Sequence, residues 1–183
     1  MIGPVVHGPP VASRILLIGQ APGPHEGALG RPFAWTAGKT MFGWFSRSLG
    51  VDEARFRERV YLAAVARCFP GKAKAGGDRR PNPGEIGRCR RYLAAEVQIL
   101  EPRLIVPVGG LAIEQVLGEK VQLASVVGSV LRVEFLGWGA DALCLPHPSG
   151  ASTWHRTEPG RSLLDKALRQ LGRHAAWIEA FGD

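Results

Sequence analysis

The sequence predicts an α/β protein in which helices cover both faces of a mostly parallel sheet. Short apolar runs alternate along the chain with segments of helical spacing, and this order is typical of parallel sheets. The runs are short and continuously apolar, which indicates strands that are buried on both faces. We expect a single domain over residues 1–183, because this length suits one hydrophobic core.

Five segments are predicted to be strands and five to be helices. The strands are expected at residues 14–19, 59–67, 103–109, 129–136 and 142–146. The helices are expected at residues 39–49, 84–100, 111–117, 162–171 and 174–181. Among the strands, the segment 129–136 alternates polar and apolar residues, which indicates one exposed face.

The net charge of the chain does not decide whether the protein binds a polyanion. The chain has 23 Lys and Arg against 16 Asp and Glu, for a formal net charge of +7. A polyanion partner accounts for this surplus, and so does an arginine-rich composition inherited from a GC-rich genome.

The cysteines and the apolar runs indicate in which cellular compartment the protein works. Cys68, Cys89 and Cys144 are odd in number and have no paired spacing, which favours a reducing environment over a disulfide framework. The N-terminal residues lack the pattern of a signal peptide, and the apolar runs fall short of the roughly 20 residues of a membrane helix. We expect a cytoplasmic protein without a membrane partner and, since no heptad pattern is present, a monomer.

Three motifs directly follow predicted strands. Residues 19–23 (GQAPG) follow the first strand, the loop of Cys68 follows the second, and residues 147–150 (HPSG) follow the last. Because ligands of such sheets bind beyond the carboxyl ends of the strands, we expect the motifs to line one pocket. There a neutral His147 can donate a hydrogen bond to a developing oxyanion, which contributes about 2.7–4 kcal/mol when it is preorganised.

Two further segments were considered for ligand binding. Residues 30–33 (GRPF) hold Phe33 on a constrained loop, where its ring stacks on a flat ligand or packs into the core. Residues 35–40 end in GKT, as phosphate-binding loops do, but Phe33 occupies the position that requires the first glycine. Nucleotide hydrolysis is therefore rejected.

Taken together, these motifs resemble the uracil-DNA glycosylase superfamily, and families 4 and 5 in particular. The resemblance is carried by GQAPGxxE, GRPF, RCFPG, RPNPGEIGRCRRYL and LPHPSGAS, and it covers about residues 14–171. It implies a three-layer α/β/α sandwich with a central four-stranded, mostly parallel sheet. It also implies an enzyme of base excision repair that flips uracil or another deaminated base out of DNA and hydrolyses its N-glycosidic bond.

The resemblance assigns roles residue by residue. Phe33 would stack on the flipped base, and His147 would bond its O2 and stabilise the anion. The pocket wall that holds the water would be formed by Gly19, Gln20, Ala21, Pro22 and Gly23. Contacts with DNA would come from Ser149, Gly150, Arg156, Lys72, Arg79 and Arg80, with Trp154 as a wedge or as a packing residue.

The chain also departs from the family pattern. Gln20 and Ala21 stand where relatives often carry an acid, so Gln20 with backbone carbonyls holds the water, or His25 or Glu26 supplies a base. Glu26 could instead orient its loop. Ala64 stands where family 4 has an Asn that reads the base, which predicts relaxed base discrimination, as in family 5.

The cofactor expectation follows from a second departure. The iron–sulfur branches use four cysteines, of which Cys68 and Cys89 match two, while the N-terminal CxxC pair is missing. We expect no cluster, no metal and no other cofactor. Covalent trapping of DNA is not expected either, since the loop 69–83 has no His.

Three functions are compared. The first is a glycosylase acting on DNA that contains uracil or another deaminated base. The second is a non-catalytic module of the same fold that binds lesions or single strands. The third is an unrelated α/β hydrolase, which neither a nucleophile elbow nor a metal triad supports. The order among uracil, hypoxanthine and xanthine, and the preference for single or double strands, stay open.

Overall fold

A five-stranded mixed sheet forms the centre of the computed structural model, which describes residues 1–74 and 76–182. The strands are β1 (Ile15–Gly19), β2 (Tyr61–Ala64), β3 (Leu104–Pro107), β4 (Val130–Phe135) and β5 (Trp138–Leu143). Their spatial order is β2-β1-β3-β5-β4. The first four in this order pair in parallel, and β4 pairs antiparallel with β5 at the edge. The prediction of a mostly parallel sheet is confirmed, and the count of four strands that the family resemblance implied was wrong.

The fifth strand belongs to a hairpin. The connection between β4 and β5 contains Leu136 with φ 55° and Gly137 with φ 78°. Two successive residues with positive φ favour a tight turn whose twist matches that of paired strands. The predicted strand at 142–146 covers only the end of β5, because the turn lacks the Asn-Gly or Asp-Gly signal that marks such hairpins in sequence.

Helices lie between the strands and after the last of them. The predicted helices correspond to α2, α4, α5, α7 and α8, and the short helices α1, α3 and α6 were not predicted. Their bounds are α1 (Glu26–Leu29), α2 (Thr36–Leu49), α3 (Glu53–Arg59), α4 (Pro83–Leu100), α5 (Gly110–Leu117), α6 (Leu123–Val126), α7 (Gly160–Arg173) and α8 (Ala175–Phe181). Among residues 1–74 and 76–182, no helix combines the length and the apolar character needed to cross a bilayer.

The sheet separates two hydrophobic clusters, which confirms the layered arrangement. Ile15 and Leu17 of β1 pack with apolar residues of α2, α7 and α8. Leu16 and Ile18, which point the other way, pack with residues of α4 and α5. Alternate residues of one strand thus serve two cores, as expected for a strand buried on both faces.

The ends of the strands determine where the motifs lie. Gly19 at the end of β1 pairs with Ala64 at the end of β2. Beyond β3 and β5, Val108 forms a parallel bridge with Leu145, two residues before His147. The segments that follow β1, β2, β3 and β5 therefore leave the sheet along one edge.

Candidate active site

A cleft of about 490 Å³ lies at this edge of the sheet. It is lined by all five residues of the GQAPG motif, and also by His25, Glu26, Phe33, Ala64, Lys72, His147 and Ser149. The prediction that the three motifs share one pocket is therefore confirmed. The remaining predicted residues, namely Gly150, Trp154, Arg156, Arg79 and Arg80, are not among those that line the cleft.

The ring of Phe33 lies directly on the backbone of Gly19. A Cβ atom placed on Gly19 would come within 2.8 Å of Cζ of Phe33, so only glycine accommodates the ring at this point. Phe33 itself has φ 53°, a left-handed backbone conformation that is uncommon for an aromatic residue. Such strain persists only where the surroundings hold the residue firmly.

Two residues that were not predicted to belong to the site fix the backbone of Phe33. Nη2 of Arg57, on α3, donates to the carbonyl oxygens of Pro32 at 2.9 Å and of Phe33 at 3.1 Å. Gly38 of α2 leaves room for the same carbonyl of Phe33, because a Cβ on Gly38 would lie 1.7 Å from that oxygen. Burial lowers the pKa of the Arg57 guanidinium, whose side chain is 11% exposed. The sequence gives little signal for this role of Arg57, because the two carbonyls that it holds lie more than twenty residues away.

Glu26 connects the first motif to the loop of Phe33. Its Oε2 accepts from the amide of Gly23 at 2.6 Å, and its Oε1 accepts from the amide of Ala34 at 3.0 Å. Both carboxylate oxygens are thus engaged by the backbone. Of the two roles left open for Glu26, its contacts are those of a residue that orients the loop. We call residues 19–35 the anchored wall of the cleft.

His147 is fixed from two sides. Its Nδ1 accepts from the amide of Ser149 at 3.2 Å and lies 2.9 Å from Oγ of the same serine. Gly109, with φ 86°, passes close to the ring, and a Cβ there would lie 2.8 Å from Cδ2 of His147. Because Nδ1 accepts a hydrogen bond, the neutral imidazole carries its proton on Nε2.

The protonation state of His147 suits a neutral donor. Burial lowers its pKa below the ordinary value of 6.5, His155 lowers it further when it is protonated, and the carboxylate of Asp78 raises it. His155 is buried, its ring lies 5.1 Å from that of Trp44, and its Nδ1 has no hydrogen-bond partner within the described part of the chain.

The second wall of the cleft comes from the loop that follows β2, in which Lys72 was predicted to contact DNA and Asp78 was not singled out. It consists of residues 71–74 and 76–78, and we call it the hairpin wall because Lys72 and Asp78 form an antiparallel bridge. Nζ of Lys72 donates to Oδ1 of Asp78 at 2.6 Å, with side chains that are 60% and 39% exposed. Oδ2 of Asp78 lies 3.7 Å from the position of a Cβ on Gly23, which is van der Waals distance. This places a carboxylate beside the first motif.

The floor of the cleft is apolar. Ala63, Ala64, Val6 and Val108 contribute to its lining. Ala64 is buried at the end of β2, at the position that the sequence analysis compared with an Asn. A methyl group cannot form hydrogen bonds to a ligand, so the polar contacts come from the walls and from His147.

Two arginines predicted to contact DNA form ion pairs within the protein. Both nitrogens of the Arg79 fork donate to Glu85, at 2.7 and 2.6 Å, and Arg80 donates to Glu114 at 2.6 Å. Glu85 is buried and completes a capping box with Asn82 at the start of α4. The Arg79 side chain and the amide of Asn82 hold the pKa of Glu85 well below its ordinary value. Arg79 therefore stabilises the start of α4.

The loop after His147 contains both half-buried and exposed residues. Trp154 is half-buried and packs against the core, and a Cβ on Gly160 would lie 2.7 Å from its ring. These contacts are those of the packing residue, which was the alternative to a wedge. Arg156 and Gly150 are exposed, so both stay accessible to a phosphate.

The cysteines do not form a four-thiolate set. Cys68 and Cys89 are half-buried, whereas Cys144 is fully buried just beyond β5, and burial raises its pKa to about 12. Among residues 1–74 and 76–182, no group of three or more His, Cys, Asp or Glu side chains is placed to bind a metal. The residues of the described chain therefore do not fit an iron–sulfur cluster, which needs four ligands.

These features define a class of protein. It is a three-layer α/β protein whose cleft, beyond the carboxyl ends of the strands, offers a fixed aromatic ring and a neutral imidazole. Such a cleft suits a flat, polar ring that carries negative charge during a reaction.

Comparisons with known proteins identify the family. The family model of the uracil DNA glycosylase superfamily matches residues 5–172, and the chain belongs to this superfamily. A type-4 uracil-DNA glycosylase of Thermotoga maritima is 33% identical over 138 residues, which cover 75% of this chain and 65% of the relative. A type-4 uracil-DNA glycosylase of Archaeoglobus fulgidus is 30% identical over 141 residues, 75% of this chain and 66% of the relative.

A further relative carries the name of another type. The type-5 uracil-DNA glycosylase of Thermus thermophilus is 38% identical over 116 residues, which cover 57% of this chain and 50% of the relative. The chain thus spans less than two thirds of the length of these curated relatives. The resemblance inferred from the motifs is confirmed at the level of the superfamily.

Proposed function

We propose that the protein is a DNA glycosylase that removes uracil or another deaminated base from DNA by hydrolysing the N-glycosidic bond. The observation that carries this proposal is the placement of Phe33 and of the neutral His147 in one cleft. The partner would be DNA that contains such a base, with the base flipped into the cleft. The names of the curated relatives and the net charge of +7 support the same substrate class.

The proposed reaction uses these two side chains in turn. The flipped base stacks on Phe33, and Nε2–H of His147 donates to a carbonyl oxygen of the base. As the bond between C1′ and the base nitrogen breaks, its electron pair moves to the base, and the hydrogen bond from His147 stabilises the resulting anion. Water then adds to C1′ of the sugar cation. The proton that this water loses passes to a proton-accepting side chain or to solvent.

We assign the positioning of this water to Asp78 together with Gln20. Both line the cleft, and Asp78 adds the negative charge that a sugar cation requires. Glu26 is less suited, because backbone amides occupy both of its oxygens. His25 is less suited too, because its ring lies against that of Trp35, 4.4 Å between centroids.

The apolar floor supports a broad base spectrum. Ala64 cannot discriminate between the hydrogen-bonding edges of different bases, whereas a bidentate amide discriminates by about 1–3 kcal/mol. A cleft of about 490 Å³ has room for a purine as well as a pyrimidine. We therefore propose that hypoxanthine and xanthine are substrates in addition to uracil.

Single-turnover kinetics with enzyme in excess test the function. The substrates are labelled oligonucleotides with one uracil, single-stranded and opposite G or A, and others with hypoxanthine or xanthine. Alkali-dependent strand cleavage reports base release. We expect release by the wild type, a loss of about 100-fold or more in His147→Ala with nearly unchanged DNA affinity, and no change in the control His7→Ala, whose ring lies outside the cleft.

Other outcomes decide between the functions. DNA binding without release of any base would favour the non-catalytic module of the same fold. The absence of salt-sensitive DNA binding would contradict both DNA-related functions. Equal losses of release and of affinity in His147→Ala would refute the role assigned to this residue.

The cofactor and assembly expectations become part of the proposal. We propose a monomer that works in the cytoplasm without a metal cluster, because two half-buried thiols cannot hold one. Anaerobic purification followed by iron analysis tests the first point, and stoichiometric iron would overturn it. Sedimentation at several concentrations tests the second.

A further inference from the structure

An exposed aromatic pair stands at the rim of the cleft. The rings of His25 and Trp35 lie 4.4 Å apart between centroids, with an angle of 32° between their planes. Both residues line the cleft, yet Trp35 is 46% exposed, although large apolar side chains are normally buried. Neither residue was assigned the binding of an aromatic ligand in the sequence analysis.

The position of Trp35 is defined by the chain around it. It lies two residues after Phe33 and immediately before α2. The amide of Ala34, between the two aromatic residues, is fixed by Glu26. The rings of Phe33 and Trp35 therefore both belong to the anchored wall, and that of Trp35 is the more exposed of the two.

We propose that Trp35, supported by His25, stacks on the base next to the flipped nucleotide. This inference rests on the proposed function, since it needs a flipped base in the cleft. Flipping uncovers one face of each neighbouring base, and an exposed indole beside the cleft can cover such a face. Nζ of Lys39, 6.0 Å from the centre of the Trp35 ring, adds positive charge near the adjoining phosphates.

Stacking by an aromatic side chain has a known size. It contributes about 1–3 kcal/mol per base and tolerates any base, because every base has an aromatic face. Removal of the neighbouring base should therefore reduce kcat/KM roughly 5- to 100-fold, at about 1.4 kcal/mol for each factor of ten. Purines should be preferred to pyrimidines as neighbours because their rings are larger.

The test is a double-mutant cycle between protein and substrate. Single-stranded oligonucleotides carry one uracil whose 5′ or 3′ neighbour is adenine, thymine or an abasic analogue. Wild type, Trp35→Ala and Trp35→Phe are compared, with Tyr92→Ala as the matched control. Tyr92 is 48% exposed on α4 and does not line the cleft.

The expected result is a loss of coupling. In the wild type, an abasic neighbour on one side lowers kcat/KM by the factor given above. In Trp35→Ala the same change has no effect, in Trp35→Phe it has an intermediate effect, and in Tyr92→Ala it has the effect seen in the wild type. His25→Ala should weaken the coupling, because the indole loses its support.

The contrary results are distinct. If the wild type releases base but Trp35→Ala keeps the full dependence on the neighbouring base, the inference is wrong while the proposed function stands. The same conclusion follows if Trp35→Ala slows release equally for every neighbour. If the wild type releases no base from any substrate, the proposed function fails, and the inference fails with it.

Discussion

The anchored wall and the hairpin wall both line the cleft, and they are held in different ways. The anchored wall is fixed by buried contacts, above all the two amides on Glu26 and the two carbonyls on Arg57. The hairpin wall is closed by backbone bonds such as that from the amide of Ala73 to the carbonyl of Gly77. Its one side-chain ion pair, among the described residues, joins the exposed Lys72 and Asp78.

This difference separates two tasks. Stacking on a base and donating to its oxygen demand fixed side chains, because an error of about 1 Å can reduce a rate roughly 100-fold. A carboxylate that acts through its charge tolerates more movement, since the energy between charges falls only gradually with distance. We expect substitutions in the anchored wall to affect both rate and stability, and those in the hairpin wall to affect rate alone.

The largest effect is expected from Asp78→Asn. The change removes the charge that faces Gly23 while keeping the size of the side chain. The single-turnover rate should fall by about 100-fold or more, as for loss of a group that stabilises charge in the transition state, with an unchanged melting temperature. Glu119→Asn, outside the cleft, is the control. A rate within twofold of the wild type would exclude Asp78 from the reaction.

Arg57→Met should reduce the rate by about 10- to 100-fold and also destabilise the fold. The carbonyls of Pro32 and Phe33 lose their donor, at a cost of about 1–3 kcal/mol for buried groups left unpaired. Urea unfolding measures the stability, and Arg59→Met, exposed on the same helix, is the matched control. A slow variant of full stability would contradict the view that this wall is held as one unit.

The pH dependence of the rate should follow His147. Because its pKa is lowered from 6.5, the neutral donor persists as the pH falls below that value, and activity is lost as the pH passes through the lowered pKa. Asp78→Asn removes a charge that raises this pKa, so the acid limb of kcat/KM should move to lower pH. His155→Gln removes a group that lowers this pKa when it is protonated, so the limb should move to higher pH. Shifts in the same direction would show that another group governs the limb.

The smallest effect is expected from Lys72→Met. An exposed ion pair contributes about 0–1 kcal/mol, so the free energy of unfolding should change by no more than this. Calorimetry on the variant and the wild type measures the difference. A larger destabilisation would show that the hairpin wall depends on this pair, against the comparison drawn above.

The sequence allowed prediction of those parts of the fold and site that depend on local pattern. The strands β1 to β3 and the helices α4 and α7 have clear apolar spacing, and the motifs follow strand ends. The strand β4 was predicted from its alternation, but the tight turn after it and the start of β5 were not, because Leu136 is an unusual residue for a positive φ. Arg57 and Asp78 escaped it because their roles come from tertiary contacts between distant segments.

Gly19 and Gly109 lie directly against the side chains of Phe33 and His147, and this fixes where those side chains sit relative to the sheet. Phe33 rests on Gly19 at the end of β1, and His147 rests on Gly109, two residues beyond the end of β3. These strands are hydrogen-bonded neighbours, and such neighbours lie about 4.7–4.9 Å apart. The spacing of β1 and β3 therefore sets the distance between the ring of Phe33 and the imidazole of His147. Because the sheet sets this distance, the two side chains keep it when the sequences of the surrounding loops change.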